Sequence, residues 1–484
     1  MTGNRTKTFL FALQVLASIF IALTACVFSA CSNSEAVGAE AEGSAIIHCK
    51  DADTNISPTQ EEIITKNDSL KEDSTITEPA SVDSICTREI VCDSVSEDLP
   101  LDDSEYPYAG IPRIVIETEN HQAIKDRENE IPAKLQIWGE RAPESEVMNL
   151  TIRGRGNTSW GMPKKSYKIE FIDKQQILGM PENRDWALIS NYADKTLIKN
   201  YLMYHLSAQI GAFYSPKCEF AELFLNGNYL GVYLLTETIK IGKNRVNIPQ
   251  NKNSYIVEFD AKLRKGETAV HSYKIETKGK TYHIHEPKDA SNDQLSTIEN
   301  YITSFETFLL GIEDNVQNGI DQWVDVNEYV KHYWIQEFSK NPDAYFYSSV
   351  YFTWVKNSVI RMGPVWDFDL SFGGHSNESF NVPQGWYIKL GYWNKYLFKD
   401  LVMSNAVKQF WQDNKTVFAS AVDSIETIAE KLQYAATNNF KRWDILNSTA
   451  YDYHMNAFET YDDAIEYLKA WTQKRIEWID ARYN

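Results

Sequence analysis

Short stretches of alternating apolar and polar residues recur between residues 113 and 236, which is the pattern of half-buried strands. Two of these stretches are joined by Asn226-Gly227, the strongest short signal for a hairpin turn. We therefore expect a β-rich first half. Its strands are Arg113–Glu117, Ala133–Trp138, Asn149–Arg153, Lys165–Ile172, Glu219–Leu225 and Gly231–Thr236.

After about residue 290 the apolar residues recur mostly at helical spacing. The exception is one more hairpin, in which Ser349–Val355 and Val359–Val365 are β-branched and aromatic strands around a polar turn. A sheet-rich first half and a helical second half with one embedded hairpin predict an α+β fold. The predicted helices are Leu197–Ile210, Leu295–Leu310, Val326–Ser339, Leu397–Phe410, Val417–Thr437 and Tyr461–Ala481.

Aspartates stand at both feet of the embedded hairpin. Asp343 precedes its first strand, whereas Asp367 and Asp369 follow its second strand in a WDFD run. Antiparallel strands return the chain to where it started, so we expect these carboxylates to converge. Converging carboxylates repel one another unless a cation lies between them, and Mg²⁺ prefers such hard oxygen ligands. A loop whose acids only cap turns is the alternative, which spacing alone does not exclude.

A glycine-rich loop, Gly154-Arg155-Gly156-Asn157, joins two of the predicted strands. Its glycines let backbone N–H groups approach an anion closely, and its arginine and the hydroxyls that follow add phosphate contacts. It is not a Walker loop, because no GK[ST] sequence follows. The loop therefore binds phosphate or is an ordinary Gly-rich hairpin turn.

A lysine in the strand after this loop is a second candidate for a phosphate contact. Lys165 shares a face with Tyr167 and Phe171, whereas Lys168 lies on the other face. We expect the apolar face to line the cleft, so we favour Lys165 over Lys168. Glu237 ends a later strand and is a candidate for lining the same nucleotide pocket. The alternatives are an edge-strand lysine in solvent and an ordinary strand-end acid.

The N-terminus has the pattern of an export signal that ends at a lipidated cysteine. Basic residues precede the apolar run Phe9–Thr24, and Leu23-Thr24-Ala25-Cys26 resembles a bacterial lipobox, with Cys31 as a second candidate. We expect a lipoprotein-type signal peptide over residues 1–25. The body would then be lipid-anchored in the bacterial cell envelope, periplasmic or at the cell surface. An uncleaved membrane helix is the alternative.

Most of the net charge of −19 lies in one segment. Residues 32–105 contain 19 acidic and four basic residues, a net charge of −15, and show little apolar periodicity. Such a segment buries too little surface to offset chain entropy, so we expect an acidic disordered tether over residues 26–105. The folded body, residues 106–484, offers no broad basic face for nucleic acid. No CxxC or Cys/His cluster is visible, so the sequence predicts no zinc site.

Taken together, these stretches resemble the spore coat protein H (CotH) kinase family of secreted or surface atypical protein kinases. The resemblance implies an atypical protein-kinase-like fold, with a sheet-rich N-lobe over about residues 106–260 and a mostly helical C-lobe over about 285–484. The matching segments, from about Arg153 to Gly374, are RGRGNTSW, PKKSYKIEF, RDWALISNYADKTLIKN, ELFLNGNYLGVYLLTE, NRVNI, YIVEFD and GPVWDFDLSFGG.

The resemblance also implies roles for the aspartates. Asp343 corresponds to the catalytic aspartate, and Asp367 corresponds to the metal-binding aspartate, with Asp369 as a further carboxylate ligand. Kinase catalytic loops carry an Asn five residues after the catalytic Asp, to hold a second metal ion. Here that position is Ser348, a poorer ligand.

By the same resemblance, the Gly154–Trp160 loop covers the phosphates of ATP and Lys165 pairs with them. The implied function is a membrane-anchored, Mg²⁺-dependent atypical kinase that phosphorylates Ser/Thr hydroxyls of exported proteins. The alternative is a non-catalytic surface lipoprotein that binds a protein partner or an envelope glycan through aromatics such as Trp366, Trp386 and Tyr392. A third hypothesis is a metal-dependent phosphate-ester hydrolase or nucleotidyl transferase.

The lipid anchor can be tested by replacing both cysteines. We expect the wild-type protein to sediment with membranes and the Cys26→Ser/Cys31→Ser protein to become soluble, because no acyl chain remains to hold it. Fractionation followed by immunoblotting measures the difference. Unchanged membrane association of the double variant would favour an uncleaved helix, since the mainly apolar run Phe9–Thr24, 16 residues long, is close to the minimum for a bilayer span.

Overall fold

Two β-sheets and a set of helices make up the described part of the chain, in a computed structural model that describes residues 97–264, 266–375, 377–451 and 453–483. No helix within these ranges combines the length and the apolarity that a membrane crossing requires. The strands are β1 Arg113–Thr118, β2 Ile131–Trp138, β3 Met148–Arg155, β4 Ser166–Gln175, β5 Asn183–Ile189, β6 Cys218–Leu225, β7 Asn228–Glu237, β8 Ser254–Phe259, β9 Ala269–Ser272, β10 Lys280–Glu286, β11 Val350–Val355 and β12 Arg361–Met362. The helices are α1 Thr158–Gly161, α2 Lys199–Gln209, α3 Asn292–Leu310, α4 Val326–Ser339, α5 Glu378–Asn381, α6 Asn394–Leu397, α7 Leu401–Ala419, α8 Ala421–Arg442 and α9 Tyr461–Tyr483.

Strands β1 to β7 close into a barrel in the order β1-β2-β3-β4-β5-β7-β6. Neighbouring strands are antiparallel except β1 and β6, whose parallel pairing closes the barrel. Alternate side chains, such as Ile114, Leu150 and Ile169, fill the barrel interior. The predicted strands of the first half are present. The sequence analysis did not predict β5 or the closure.

A second sheet has the strand order β12-β11-β8-β10-β9. The predicted hairpin is present as β11 and β12, with Phe352 opposite Met362, although β12 is much shorter than expected. Strand β11 pairs along its length with β8, which the predicted N-lobe contained. The predicted division between lobes at about residues 260–285 therefore passes through one hydrogen-bonded sheet, and β9 and β10 were not predicted. The fold is mixed α+β.

The long helices lie close to their predicted positions. Helix α4 has the predicted bounds, whereas α7 begins at Leu401 instead of Leu397. The side chain of Asp400 accepts hydrogen bonds from the backbone N–H groups of the first turn, so it caps α7 and fixes the start. Trp334 of α4 packs against Trp411 of α7 at a centroid distance of 4.8 Å, which ties these helices together.

The folded body begins before residue 106. Leu99 is only 7% exposed, and its N–H donates to Oε1 of Gln136 on β2 at 2.8 Å. Gln136 in turn donates to Asp98, and Asp103 pairs with the buried guanidinium of Arg113. The last residues of the predicted tether thus contact the barrel, which corrects the boundary at 105. The predicted signal peptide, Cys26, Cys31 and the tether up to residue 96 lie outside the described residues.

Leu99→Ala tests this boundary. We expect a loss of about 2–3 kcal/mol in the free energy of unfolding, because the variant leaves a cavity where a buried side chain packed. Leu310→Ala is the control, since that side chain is 48% exposed at the end of α3 and should change stability by less than about 1 kcal/mol. Urea unfolding followed by circular dichroism measures both. Equal small effects would mean that the segment does not pack on the barrel.

Candidate active site

A cleft of about 1320 Å³ lies where the barrel meets the second sheet and the helical part. One wall is formed by the loop after β3 together with β4, and a second wall by β8 and β10. The third wall consists of the loop between α4 and β11 and the segment that follows β12. The cleft exceeds the usual size of a single-ligand pocket, so it has room for two reactants side by side.

The three aspartates at the feet of the hairpin share one wall of this cleft. Asp343, Asp367 and Asp369 all line it, and their charges act on one another. The hydroxyl of Ser349 donates to Oδ2 of Asp367 at 3.3 Å. The convergence that the antiparallel hairpin predicts is therefore present.

Hydrogen bonds with two buried side-chain amides fix the backbone at Asp367. Nδ2 of Asn341 donates to the backbone carbonyl of Asp367 at 2.9 Å, and Oδ1 of Asn200 accepts from the N–H of Phe368 at 2.8 Å. Between these contacts Asp367 has a φ of 66°, in the left-handed region that few non-glycine residues adopt. The surrounding structure thus holds a strained backbone, as is common at functional sites.

Burial raises the pKa values of all three carboxyls, and the charge of Asp367 raises those of the other two further. The pKa of Asp343 is raised to about 7, mainly by burial and then by the charge of Asp367. Burial also raises the pKa of Asp367, and burial together with the charges of Asp367 and Asp343 raises that of Asp369 well above its usual value. The cluster therefore retains protons near neutral pH, and a bound cation would favour their release.

A basic side chain acts on each carboxyl. The guanidinium of Arg155 lies over the Trp366 ring, 5.3 Å from its centroid, and its charge lowers the pKa of Asp367. The sequence analysis identified only this one. It missed Lys262, which acts on Asp343, and Lys199, whose Nζ donates to the backbone carbonyl of Asp369 at 3.1 Å. Lys199 belongs to the RDWALISNYADKTLIKN segment, so the resemblance already contained the signal.

The glycine-rich loop reaches the cleft with three of its four predicted residues. Arg155, Gly156 and Asn157 line it. Gly154 does not, because its N–H donates to the carbonyl of Asp126 at 2.9 Å and a Cβ there would meet the ring of Trp160. Gly154 is therefore a packing residue, which corrects its prediction as a nucleotide contact.

The choice of Lys165 over Lys168 was wrong. Tyr167 and Ile169 of β4 point into the barrel interior, so the polar face of this strand is the one that lines the cleft. Lys165 precedes the strand and donates to the carbonyl of Trp160 at 2.5 Å, away from the cleft. Lys168 lines the cleft instead.

Glu237 also lies outside the set of cleft-lining residues. It is buried at the end of β7, where it forms an ion pair with Arg245 at 2.6 Å. Its other oxygen accepts hydrogen bonds from the hydroxyl of Tyr214 at 2.8 Å and from the N–H of Lys217 at 3.0 Å. These partners occupy the carboxylate, so its prediction as a nucleotide-binding residue is corrected to a structural role.

Comparisons with known proteins identify one family. The family model described as CotH kinase protein matches residues 152–479. The inner spore coat protein H of Bacillus subtilis is 24% identical over 248 residues, which cover 50% of this chain and 62% of that protein. The match thus spans less than two thirds of the relative.

Asp343→Asn should make the metal-free protein less sensitive to pH. The pKa of Asp343 is about 7 in the folded protein against an ordinary value of 3.8, so the stability from this group is full below pH 4 and lost as the pH rises through 7. At pH 8 we expect the variant to be more stable than the wild type by up to about 4 kcal/mol. At pH 5 the difference should shrink.

Urea unfolding in the presence of a chelator, repeated from pH 5 to pH 8, measures the free energy of unfolding of the wild type and of Asp343→Asn as a function of pH. Asp173→Asn is the matched control, because that carboxylate is exposed on β4 and does not line the cleft. Wild-type and Asp343→Asn curves that stay parallel from pH 5 to pH 8 would contradict the raised pKa.

Proposed function

The chain belongs to the CotH kinase protein family, and on that premise we propose that it is a Mg²⁺-dependent, membrane-anchored protein kinase. It would transfer the γ-phosphate of ATP to Ser/Thr hydroxyls of exported proteins, from a kinase-like arrangement of its cleft. The observation that carries the proposal is the cluster of Asp343, Asp367 and Asp369 in a large cleft beside basic side chains. A module that only binds a partner has no need of three carboxylates forced together.

The carboxylates fit a Mg²⁺ ion. Oxygen ligands are the ones this ion prefers, and a divalent cation would offset the cost of ionising two carboxyls whose pKa values are raised mainly by burial. These two residues, Asp367 and Asp369, would hold the ion. When bound, Mg²⁺ neutralises phosphate charge that develops during transfer.

The wall formed by β4 and the loop after β3 fits phosphate groups. Gly156, with a φ of 91°, lets the loop after β3 turn over the cleft, and Arg155 and Asn157 beside it bring donors to the same wall. Lys168 forms an ion pair with Asp185 at 3.0 Å. Protein kinases use a strand lysine held by a carboxylate to position phosphates, and Lys168 takes that part here.

Asp343 would orient the acceptor hydroxyl and take its proton. A general base works best when its pKa is near the operating pH, and the pKa of Asp343 is about 7. Its mobility is limited because the N–H groups of Tyr347 and Ser348 both donate to its backbone carbonyl. Ser348 lines the cleft at the position where kinases carry the second metal-binding Asn.

A non-catalytic role in binding a protein partner or a glycan is the second candidate. Trp366 and Tyr392, two of the aromatics that suggested it, are buried in the core. The exposed rings at the cleft are Tyr345, Tyr347 and Tyr451, at 37%, 46% and 42% exposure. These rings favour a macromolecular ligand at the opening of the cleft, and the protein substrate of a kinase would be such a ligand.

Two substitutions separate metal binding from proton transfer. We expect Asp367→Asn to abolish Mg²⁺-dependent ATP binding, because the amide keeps the shape but loses the charge that offsets the cation. Asp343→Asn should still bind ATP while phosphate transfer falls about 10²–10⁴-fold, the range of a general base. Calorimetric ATP binding with and without Mg²⁺, and phosphate incorporation into a Ser/Thr-rich protein, measure the two effects. Asp173→Asn should behave as wild type.

A wild-type protein that binds no ATP in the presence of Mg²⁺ would overturn the kinase proposal and favour the binding role. If ATP binds but phosphate is never transferred to any acceptor, Ser348→Asn is the next variant, because it restores the kinase ligand at the second metal position.

A further inference from the structure

A second cluster of ligand-type side chains lies on the wall of the cleft formed by β8 and β10. Glu258, His283 and His285 offer ligand atoms that all lie within 4.8 Å of one another. Strand pairing brings them together, because His283 is directly opposite Glu258 and His285 follows two residues later on the same strand. Glu258 and His283 are 8% and 7% exposed. This cluster differs from the aspartates in containing nitrogen donors.

The separations suit a small metal ion. Oε2 of Glu258 is 3.4 Å from Nδ1 of His283 and 3.9 Å from Nδ1 of His285. Around a tetrahedral ion with bonds of about 2.0–2.1 Å, neighbouring ligand atoms are about 3.3 Å apart. These two separations lie within about 0.6 Å of that spacing, and the ligand atoms of the two histidines are no more than 4.8 Å apart.

The hydrogen bond of His285 shows which of its nitrogens is available. Its Nε2 lies 2.9 Å from the backbone carbonyl of Ile239, and a carbonyl only accepts, so Nε2 carries the hydrogen. In the neutral ring the lone pair is then on Nδ1. That lone pair faces Oε2 of Glu258, another acceptor. A carbonyl that fixes the ring in this way is the usual partner of a metal-binding histidine.

We propose that Glu258, His283 and His285 bind a divalent transition-metal ion of the Zn²⁺ class, with a set of ligands that shares no residue with the aspartate cluster. Two imidazoles and one carboxylate select such ions over Mg²⁺, which prefers oxygen ligands alone. Asp260 and Glu267 also cluster with His283, so a further carboxylate is at hand. The inference does not rest on the proposed kinase activity.

The sequence contained little signal for this site. His283 and His285 alternate along a strand that was not predicted, and Glu258 lies 25 residues before His283. Only the pairing of β8 with β10 makes them neighbours, which is why a search for closely spaced Cys and His residues predicted no zinc site.

Cobalt binding tests the proposal, because Co²⁺ occupies zinc sites and absorbs visible light with an intensity that reports tetrahedral ligands. The full chain, stripped with a chelator, is titrated with Co²⁺. We expect one such site, displaced by Zn²⁺ and not by excess Mg²⁺. His283→Gln and His285→Gln should each weaken Co²⁺ binding by at least about tenfold. His271→Gln, an exposed histidine on β9 of the same sheet, should leave it unchanged.

Asp367→Asn should also leave the cobalt spectrum unchanged. A spectrum that survives both His283→Gln and His285→Gln, or that is lost in Asp367→Asn, would overturn the proposal. Pulsed electron paramagnetic resonance of the wild-type protein with one equivalent of Cu²⁺ needs no variant, so it decides the matter even if the substitutions prevent folding. Two coordinated imidazoles are expected, and none would overturn the site.

Discussion

Mutual repulsion of three carboxylates is the constraint around which the cleft is organised. Asp343, Asp367 and Asp369 are partly buried on one wall, and the charge of Asp367 raises the cost of ionising the other two. The fold offsets this repulsion with one basic side chain for each carboxyl, and with the amides of Asn341 and Asn200 that hold the strained backbone of Asp367. Since buried like charges destabilise a protein, such an arrangement persists only when it serves a function.

Those parts of the site that depend on the pairing of strands close together in the sequence could be predicted from the sequence. The convergence of Asp343 with Asp367 follows from one hairpin, because antiparallel strands joined by a short turn bring their outer ends together whatever the rest of the chain does. The mixed α+β class followed from periodicity for a similar reason, since amphipathic patterns are local properties of each segment. Family resemblance supplied the roles that spacing alone did not.

The parts that depend on closure of the barrel could not be predicted. Whether Lys165 or Lys168 faces the cleft depends on which side of β4 becomes the barrel interior, and that depends on the pairing of β1 with β6, more than 100 residues apart. Leu99 packs on β2 through a contact that spans 37 residues, and acidic residues dominate the sequence around it, so nothing local indicated its burial. Glu237 was misassigned because its partner Arg245 lies in an irregular segment without periodicity.

The long-range pairing of β8 with β11 has a consequence for the order of folding. Phe259 meets Val350 only after the intervening β9, β10, α3 and α4 have been accommodated, and barrel closure needs a comparably distant contact. Such contacts form slowly, because the entropy of closing long loops must be overcome before they contribute. The aspartates and the glycine-rich loop therefore meet late on the folding pathway. Their repulsion acts mainly on the native state and should accelerate unfolding more than it slows folding.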